Sequence, residues 1–355
     1  MRILIYTDCH FSQYSSIIRS RGERFSTRLE NLIASLNWAE SLVLTNKCDR
    51  VVCLGDFFDA PVLNSEEITA LREINWSNVK HYFIVGNHES NTIDLRHNST
   101  NSLNLDNFEI ISSPKRETIF GANLVFLPYI VEEDRKTLAE YNKMFSLSDG
   151  GMFTTQEYKK TIVFSHNDIK GIRYGKFEST EGFDIKDIED NCHMFLNGHL
   201  HNCNFLNDSE TVLNVGNLTG QNFSEDAYNY SHFACVLDTD TMTLEFFENP
   251  FAFNFYKIDI LNKSNLSKLN KLKNNAVVTI KCTEGLINEL KETIKNVPNI
   301  VEHRIIVVPS EGSSGEEVQV SLNEIDHLKQ FNDFVIDKLG NTEIVRDELS
   351  KIIGG

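Results

Sequence analysis

The sequence predicts an α/β protein with a layered core, followed by a smaller α/β domain and C-terminal helices. Over the first half of the chain, short apolar runs rich in β-branched and aromatic residues alternate with segments of helical period. The pattern changes after Pro250, and a polar segment rich in Gly and Ser precedes the last residues. Together these observations favour one large layered domain with further elements behind it.

The strands of the core are predicted from apolar runs that end in turn residues. They are residues 2–7, 50–55, 81–86, 123–130, 161–166, 193–198 and 211–216. A helix is predicted between the first two strands, because Phe25, Leu29 and Leu36 follow the helical period. Thr27 and Glu30 have the spacing of a capping box at its start. Residues 232–248 are predicted to form a hairpin.

Four segments are predicted along the chain. Residues 1–254 form the core, and residues 255–310 have the pattern strand, helix, strand, helix, strand of a small α/β domain. Residues 311–320 are predicted to be a linker, because the stretch is polar and rich in Gly and Ser. Residues 321–355 contain two short amphipathic helical patterns.

The charge of the chain restricts the kind of partner it has. A net charge of −17 argues against a protein that coats nucleic acid without specificity. The charge is uneven, since residues 255–310 contain nine basic and five acidic side chains. This segment is a weak indication of a surface that faces phosphate, and chance is the alternative.

Composition gives an expectation about the compartment. No apolar stretch has the length of a membrane span, and Asp8 interrupts the apolar start too early for a signal peptide. Seven cysteines without a CxxC spacing favour reduced thiols over a disulfide framework. We therefore expect a cytoplasmic protein with no membrane partner.

Potential metal ligands follow five of the predicted strands. The carboxyl ends of strands in α/β sheets meet at one rim, so side chains there come together. The candidate ligands are Asp8, His10, Asp56, Asn87, His166, His199 and His201. Seven donors exceed what one ion usually takes and suit two ions that share a carboxylate. Mixed nitrogen and oxygen donors without thiolate fit Mn²⁺, Fe²⁺ or Zn²⁺ better than Ca²⁺ or Mg²⁺.

The motifs DxH, GDxxD, GNHE, a histidine at a strand end and GHLH occur in this order over residues 8–201. In this the chain resembles the calcineurin-like metallophosphoesterase superfamily. The resemblance implies a four-layer β-sandwich flanked by helices and two divalent ions. It implies that the first ion binds Asp8, His10, Asp56 and His201, and that the second binds Asp56, Asn87, His166 and His199.

The resemblance also implies roles for residues that are not ligands. His88 matches the histidine that stabilises the transition state and protonates the leaving oxygen. Asp59 is the second catalytic candidate, at a position that is histidine in some relatives and aspartate in others. Glu89 departs from the family pattern, in which Asp is commoner, and this puts fine control of substrate position in doubt.

Within the superfamily, the chain is most similar to SbcD-type nucleases, the bacterial and phage relatives of the meiotic recombination eleven nuclease. Phosphoprotein phosphatases have Arg-Gly after the second Asp of GDxxD, whereas here Ala60 and Pro61 follow it. The resemblance implies that residues 255–310 are a DNA-binding capping domain. It also implies that residues 321–355 bind an SbcC/Rad-fifty-type ATPase, and that the chain forms a homodimer, in a bacterial or phage-infected cell.

DNA contacts are predicted from clusters of basic residues. They are Arg19, Arg21 and Arg24 after the first motif, and Lys268, Lys271 and Lys273 in the small domain. The alternative for the arginines, which include Arg28, is a solvated helix entry with ordinary charge pairs.

The sequence thus predicts a metal-dependent DNA exonuclease or endonuclease of repair and recombination, with two divalent ions. Mn²⁺ is favoured, and Mg²⁺, Fe²⁺ and Zn²⁺ are the alternatives. The alternatives are a free-standing nucleotide phosphodiesterase or phosphatase, and a DNA-binding subunit without activity. The complete ligand set and His88 argue against the inactive subunit.

Overall fold

A computed structural model of the chain describes residues 1–15, 17–18, 21–103, 105–148, 161–174, 177–308 and 318–320. The chain divides into two compact units. The first unit comprises Met1–Tyr256, Leu272–Val277 and Pro298–Glu302. The second comprises Lys257–Lys271, Val278–Val297 and the described residues from His303 onward.

Two six-stranded sheets form the first unit. The first sheet contains β1 (Arg2–Tyr6), β2 (Arg50–Cys53), β3 (Lys80–Ile84), β4 (Phe108–Ile111), β13 (Phe233–Asp238) and β14 (Thr243–Glu248), in the order β14-β13-β1-β2-β3-β4. The second contains β5 (Lys115–Ile119), β6 (Ala122–Leu127), β7 (Thr161–Ser165), β10 (Met194–Asn197), β11 (Asn204–Phe205) and β12 (Val212–Asn214), in the order β11-β12-β10-β7-β6-β5. A short ribbon joins β8 (Arg173–Tyr174) to β9 (Phe177–Glu178). The seven predicted strands and the hairpin of β13 and β14 are confirmed, whereas β4 and β5 were not predicted.

Helices lie between the strands of this unit. They are α1 (Thr27–Thr45), α2 (Ser65–Leu71), α3 (Leu138–Ser148) and α4 (Ile185–Asn191), with 3₁₀ turns at Ser99–Ser102 and Glu132–Asp134. The prediction that Thr27 caps α1 is wrong by one residue. Ser26 is the N-cap, because its backbone is extended (φ −60°, ψ 147°) and its side chain accepts from the Leu29 amide. Glu30 accepts instead from the amides of Arg24 and Phe25.

The period of two along β1 shows how the layers pack. Leu4 and Tyr6 face the helical layer and pack with Leu32 of α1. Ile3 and Ile5 face the second sheet. Each such fully buried side chain contributes about 1.5–3 kcal/mol of transfer free energy. The interior is therefore two sheets packed face to face.

The outer face of the second sheet is also covered. Val125, Val163 and Phe195 on that face pack with Tyr141 of α3 and Ile188 of α4. The order of layers is helix, sheet, sheet, helix, which confirms the predicted four-layer α/β fold.

The second unit contains the larger part of a four-stranded sheet, together with its own helices. The strands are β15 (Asn254–Ile260), β16 (Ala276–Thr283), β17 (Ile300–Val308) and β18 (Val318–Val320), in sequence order. The 3₁₀ segments Lys263–Lys271 and Glu284–Leu286 and helix α5 (Ile287–Lys295) connect them. The predicted pattern of residues 255–310 is present, with its first helix of 3₁₀ type. The predicted domain boundaries stay a prediction.

The predicted C-terminal helices, residues 321–355, lie outside the described residues, as does most of the predicted linker. Among the helices that the structure does describe, none is both long and apolar enough to cross a membrane.

Candidate two-metal active site

The candidate ligands meet at one rim of the sandwich. Asp8 and His10 follow β1, Asp56 follows β2, Asn87 follows β3, His166 follows β7, and His199 and His201 follow β10. Strands β1 to β3 are parallel in the first sheet, and β7 is parallel to β10 in the second. Because all these strands end at the same edge, the loops after them converge there.

The backbone at this rim is strained. Asp8, His10, Asp56 and His199 have positive φ values of 49°, 45°, 45° and 72°. Such conformations cost non-glycine residues free energy, and they cluster where side chains are held for a function. Gly198 is required by close packing, since a Cβ there would lie 2.3 Å from Thr7 Oγ1.

Three of the candidate ligands form a first group. One ligand atom each from Asp8, His10 and His201 lies within 4.8 Å of the others. Asp8 Oδ2 accepts from Thr7 Oγ1 at 2.6 Å and from the His199 amide at 3.0 Å. Oδ1 of the same carboxylate is therefore left to face the group, 3.9 Å from His10 Nε2.

A second group contains Asp56, His166 and His199, within the same 4.8 Å limit. His166 Nδ1 lies 2.9 Å from the Leu54 carbonyl, so its Nε2 faces Asp56 Oδ2 at 3.2 Å. Asn87 Oδ1 lies 3.1 Å from His166 Nε2 and 3.0 Å from His199 Nδ1.

Asp56 lies between the two groups. Its Oδ2 is 3.8 Å from His10 Nε2 and 3.2 Å from His166 Nε2. Burial would raise the pKa of the Asp56 carboxyl, but the imidazoles, His166 foremost, hold it well below its usual range. Burial would likewise lower the pKa of His166, but the Asp56 carboxylate raises it to about 9.

Three carboxylates orient the histidines from behind. Asp59 Oδ1 lies 3.0 Å from His10 Nδ1, and Glu225 Oε1 lies 2.8 Å from His201 Nδ1. Asp168 Oδ1 lies 3.3 Å from His199 Nε2. In each case the opposite ring nitrogen faces the centre, an arrangement that is typical of metal-binding histidines.

Glu89 fixes the loop that carries Asp56. It is fully buried and accepts from the amides of Gly86, Asp56 and Phe58 at 2.6, 3.2 and 3.1 Å. Burial, with the nearby Asp56 carboxylate, raises the pKa of Glu89 to about 8. The longer side chain at this family position therefore has a full set of backbone partners.

The residues fit two divalent ions. Asp8 Oδ1 and His10 Nε2 are buried and have no hydrogen-bond partner among the described residues, although buried polar atoms are normally satisfied. Two buried carboxylates side by side also require a compensating positive charge. Both unpaired atoms point into the first group, where a bound cation would satisfy them. Asp8, His10, Asp56 and His201 could hold one ion, and Asp56, Asn87, His166 and His199 the other.

His88 lies beside the candidate ligands, but its side chain is more exposed than theirs. Its side chain is 42% exposed, and its ring meets that of His10 edge to face at 4.6 Å between centroids. Its Nδ1 lies 3.1 Å from the Asp59 carbonyl. Nε2 is therefore the nitrogen that is left to face a substrate. Cys9, between two ligands, is buried in the core as expected.

The described arginines that follow the first motif are engaged by partners within the protein. Arg21 pairs with Glu66 at 2.9 Å and Arg24 with Glu73 at 2.7 Å. Arg28 is buried and donates to the Gly220 and Cys9 carbonyls, so it cannot belong to a surface for polyanions. Arg19 lies outside the described residues.

The lysines lie in different units. Lys273 donates to Ser231 Oγ and Glu248 Oε1 in the first unit. In the second unit Lys268 donates to the Asp259 carbonyl, and Lys271 is exposed. DNA contact at any of these residues stays a prediction.

Sequence reasoning missed Glu225 and Asp168 altogether. Glu225 lies 24 residues after His201 in a loop, outside every motif. Asp168 lies two residues after His166, and this spacing was the one available signal.

The family model of calcineurin-like phosphoesterases matches residues 1–203. This is more than half of the chain, and the match contains all seven candidate ligands. The chain therefore belongs to the calcineurin-like phosphoesterase family, a family of metal-dependent phosphoester hydrolases. Comparison with curated proteins gave no match.

Several solved structures are similar in part. An archaeal phosphodiesterase has 13% identity and a TM-score of 0.34, with 70% of this chain and 99% of that chain covered. A dimetal phosphatase from Danio rerio has 13% identity and a TM-score of 0.36, with 66% and 91% covered. A Thermus thermophilus protein has 11% identity and a TM-score of 0.37, with 70% and 98% covered. At these scores the neighbours carry no argument about substrate.

Proposed function

We propose that this chain is a two-metal phosphodiesterase that cleaves DNA, as the nuclease subunit of a repair or recombination complex. The observation that carries the proposal is Asp56 between two groups of ligands, with His88 next to both. A carboxylate in this position could serve both ions, and a pair of divalent ions would supply the phosphoryl clamp of two-metal hydrolysis. Manganese is the ion that we expect, because the donors are imidazoles, carboxylates and one amide.

Two divalent ions bound here would neutralise the phosphoryl oxygens and activate a water for in-line attack. The protein's own residues do the rest. Asp59, Glu225 and Asp168 hold three histidine rings in the orientation that binding needs. Glu89 holds the backbone on both sides of Asp56, so that its carboxylate stays between the two groups.

His88 provides the proton for the leaving oxygen. The Asp59 carbonyl fixes Nδ1, which directs Nε2 away from the protein, and the ring's exposure leaves room for a substrate. A positioned histidine of this kind contributes about 10²–10⁴-fold to the rate.

Support for DNA as the substrate comes from the resemblance to SbcD-type nucleases and from the basic character of residues 255–310. The proposal includes the partners that the resemblance implies. They are an SbcC-type ATPase that binds residues 321–355, and a second copy of this chain. Deletion of residues 311–355 is expected to abolish ATPase binding and to spare hydrolysis of small diesters. Normal ATPase binding by the truncated chain would contradict the assignment.

The experiment that tests the proposal is Mn²⁺-dependent degradation of linear duplex DNA, with and without the cognate ATPase. His88→Asn is the matched variant, because its amide keeps a hydrogen-bonding side chain but cannot act as an acid. We expect loss of cleavage in His88→Asn at unchanged metal content, and stimulation of the wild type by the ATPase with ATP. Absence of DNA cleavage by the metal-loaded wild type would reject the nuclease.

A nucleotide phosphodiesterase is the second candidate, and one observation favours it. Arg21 and Arg24 are engaged by Glu66 and Glu73, which reduces their capacity to hold a polyanion. This candidate predicts hydrolysis of small diesters at the same rate with and without DNA or ATPase. Robust turnover of small diesters without any DNA cleavage would establish it.

A further inference from the structure

Two cavities border the candidate metal site. The first, the β6-side cavity, has a volume of about 510 Å³ and is lined by Asn87, Ser112, Ser113 and Tyr129, among others. The second, the β10-side cavity, has about 580 Å³ and is lined by His199, His201, Asn204 and Tyr230, among others. Both volumes lie in the range of small-molecule sites.

The cavities lie on opposite sides of the metal site. In the second sheet β7, which leads to His166, is flanked by β6 on one side and β10 on the other. The walls of the β6-side cavity come from the loops after β3, β4 and β6. Those of the β10-side cavity come from the loop after β10, strand β11 and residues 222–230. A phosphorus atom held between the two groups of ligands would therefore have a cavity on either side.

The lining residues of the two cavities indicate the chemical class of group that each cavity could bind. Among the residues that the structure describes, neither lining contains a lysine or arginine, and neither has a cation to hold a further phosphate. Each combines amide and hydroxyl groups with apolar surface, one tyrosine and one carboxylate, which is Asp134 in the β6-side cavity and Glu225 in the β10-side cavity. Such a combination suits an uncharged, partly aromatic group, since aromatic side chains stack on bases and amides bond their edges.

We propose that each cavity receives one nucleoside of a phosphodiester, so that the substrate has a nucleoside on both ester oxygens of the scissile phosphate. The inference rests on the proposed function and narrows its substrate class. A phosphomonoester has a single substituent and would leave one cavity unused. The β6-side cavity and the β10-side cavity thus select a dinucleoside unit, whether free or within a longer strand.

The test fills each cavity with a tryptophan at an exposed position. Ser113→Trp is placed in the turn between β4 and β5 for the β6-side cavity, and Asn204→Trp is placed on β11 for the β10-side cavity. Ser113→Ala and Asn204→Ala are the matched variants without bulk. Leu44→Trp is the remote control, because its exposed side chain lies near the end of α1, which leads to the amino-terminal end of β2.

The readout is the ratio of kcat/KM for dithymidine phosphate to kcat/KM for methyl p-nitrophenyl phosphate, which carries one bulky arm. In-line attack places the p-nitrophenolate leaving group in one cavity only. We therefore expect this ratio to fall by at least about tenfold in the tryptophan variant of the other cavity, and both reactions to be lost in the tryptophan variant of the leaving-group cavity. The double variant should lose both reactions. Leu44→Trp should keep the wild-type ratio, and each alanine variant should change kcat/KM for dithymidine phosphate less than the matching tryptophan variant does.

Three results would overturn the two-cavity proposal. They are an unchanged ratio in both tryptophan variants at wild-type activity, an equal loss of both substrates in both single variants, or a wild type that hydrolyses the methyl ester but not dithymidine phosphate. Cleavage of duplex DNA by the wild type is measured separately. Its absence, with the ratios changing as expected, would reject the DNA nuclease and leave the two cavities in place.

Discussion

The carboxylates behind the histidines provide a selective test of the two-ion site. Glu225 is 2% exposed and holds His201 in the first group, whereas Asp168 holds His199 in the second. Removal of such a carboxylate typically reduces metal affinity by about 10- to 100-fold, which corresponds to about 1.4–2.8 kcal/mol. We expect Glu225→Ala to weaken one of the two binding steps by this amount and to change the other little.

The size of the effect should follow the geometry. Glu225→Gln keeps an oxygen that can accept from His201 Nδ1 but lacks the charge, so its effect should be smaller than that of Glu225→Ala. The Asp168 side chain is 26% exposed and its contact of 3.3 Å is longer. Asp168→Ala is therefore expected to reduce metal affinity by only about 10-fold, and to weaken the binding step that Glu225→Ala leaves little changed.

The assay is calorimetric titration of the metal-free protein with Mn²⁺, fitted to two steps. Circular dichroism of each variant at the titration temperature controls for unfolding, because Glu225→Ala also leaves the Gln221 amide without its acceptor. The reasoning is refuted if Glu225→Ala and Asp168→Ala weaken the same step, or if neither changes the titration.

Three further predictions follow from the described contacts. Gly198→Ala should destabilise the protein by about 1–3 kcal/mol and reduce its metal content, because the new Cβ would lie 2.3 Å from Thr7 Oγ1 and 2.9 Å from His166 Nδ1. Gly285→Ala, where no atom of the described residues lies within 4 Å of the new Cβ, is the control in thermal melts, and equal melting temperatures would contradict the close packing. Glu40→Ala should cost about 3–5 kcal/mol in urea unfolding, because buried Glu40 accepts from the Ser77 amide at 3.0 Å and lies 3.2 Å from His81 Nε2, both left unpaired. A loss below about 1 kcal/mol would show that the buried pair contributes little. Mn²⁺ affinity should rise with pH by up to about tenfold per unit and level off near pH 9, because the raised pKa of His166 makes the ion compete with a proton below that value. Titrations between pH 6 and 8.5 that show no such rise would refute the competition.

Much of the fold could be predicted because β1, β2, β3, β6, β7, β10 and β12 are buried runs with clear ends. The strands that were missed have a different character. Lys115–Ile119 contains three charged residues, and its burial is only partial, so it lacks an apolar pattern. Its place at the sheet edge depends on pairing with β6, which local sequence does not encode.

At the candidate metal site, too, local sequence predicted some residues, whereas others depend on tertiary contacts. Candidate ligands could be identified because each follows a strand at a fixed spacing, and the rule for strand ends brings them together. Glu225 and Asp168 could not be identified in this way. Glu225 reaches His201 through the course of a loop, and its role depends on a hydrogen bond between residues 24 positions apart. The N-cap of α1 was predicted one residue too late. The cap is defined by the extended backbone of Ser26, and the spacing of Thr27 and Glu30 does not reveal that backbone conformation.

The central claim is that Asp56 lies between two ions at one site. Electron paramagnetic resonance of the Mn²⁺-loaded protein tests it most directly. We predict two ions per chain with an exchange-coupled spectrum in the wild type, and loss of the coupled spectrum in Asp56→Asn. A single bound ion, or two ions whose spectra stay uncoupled in the wild type, would contradict the account.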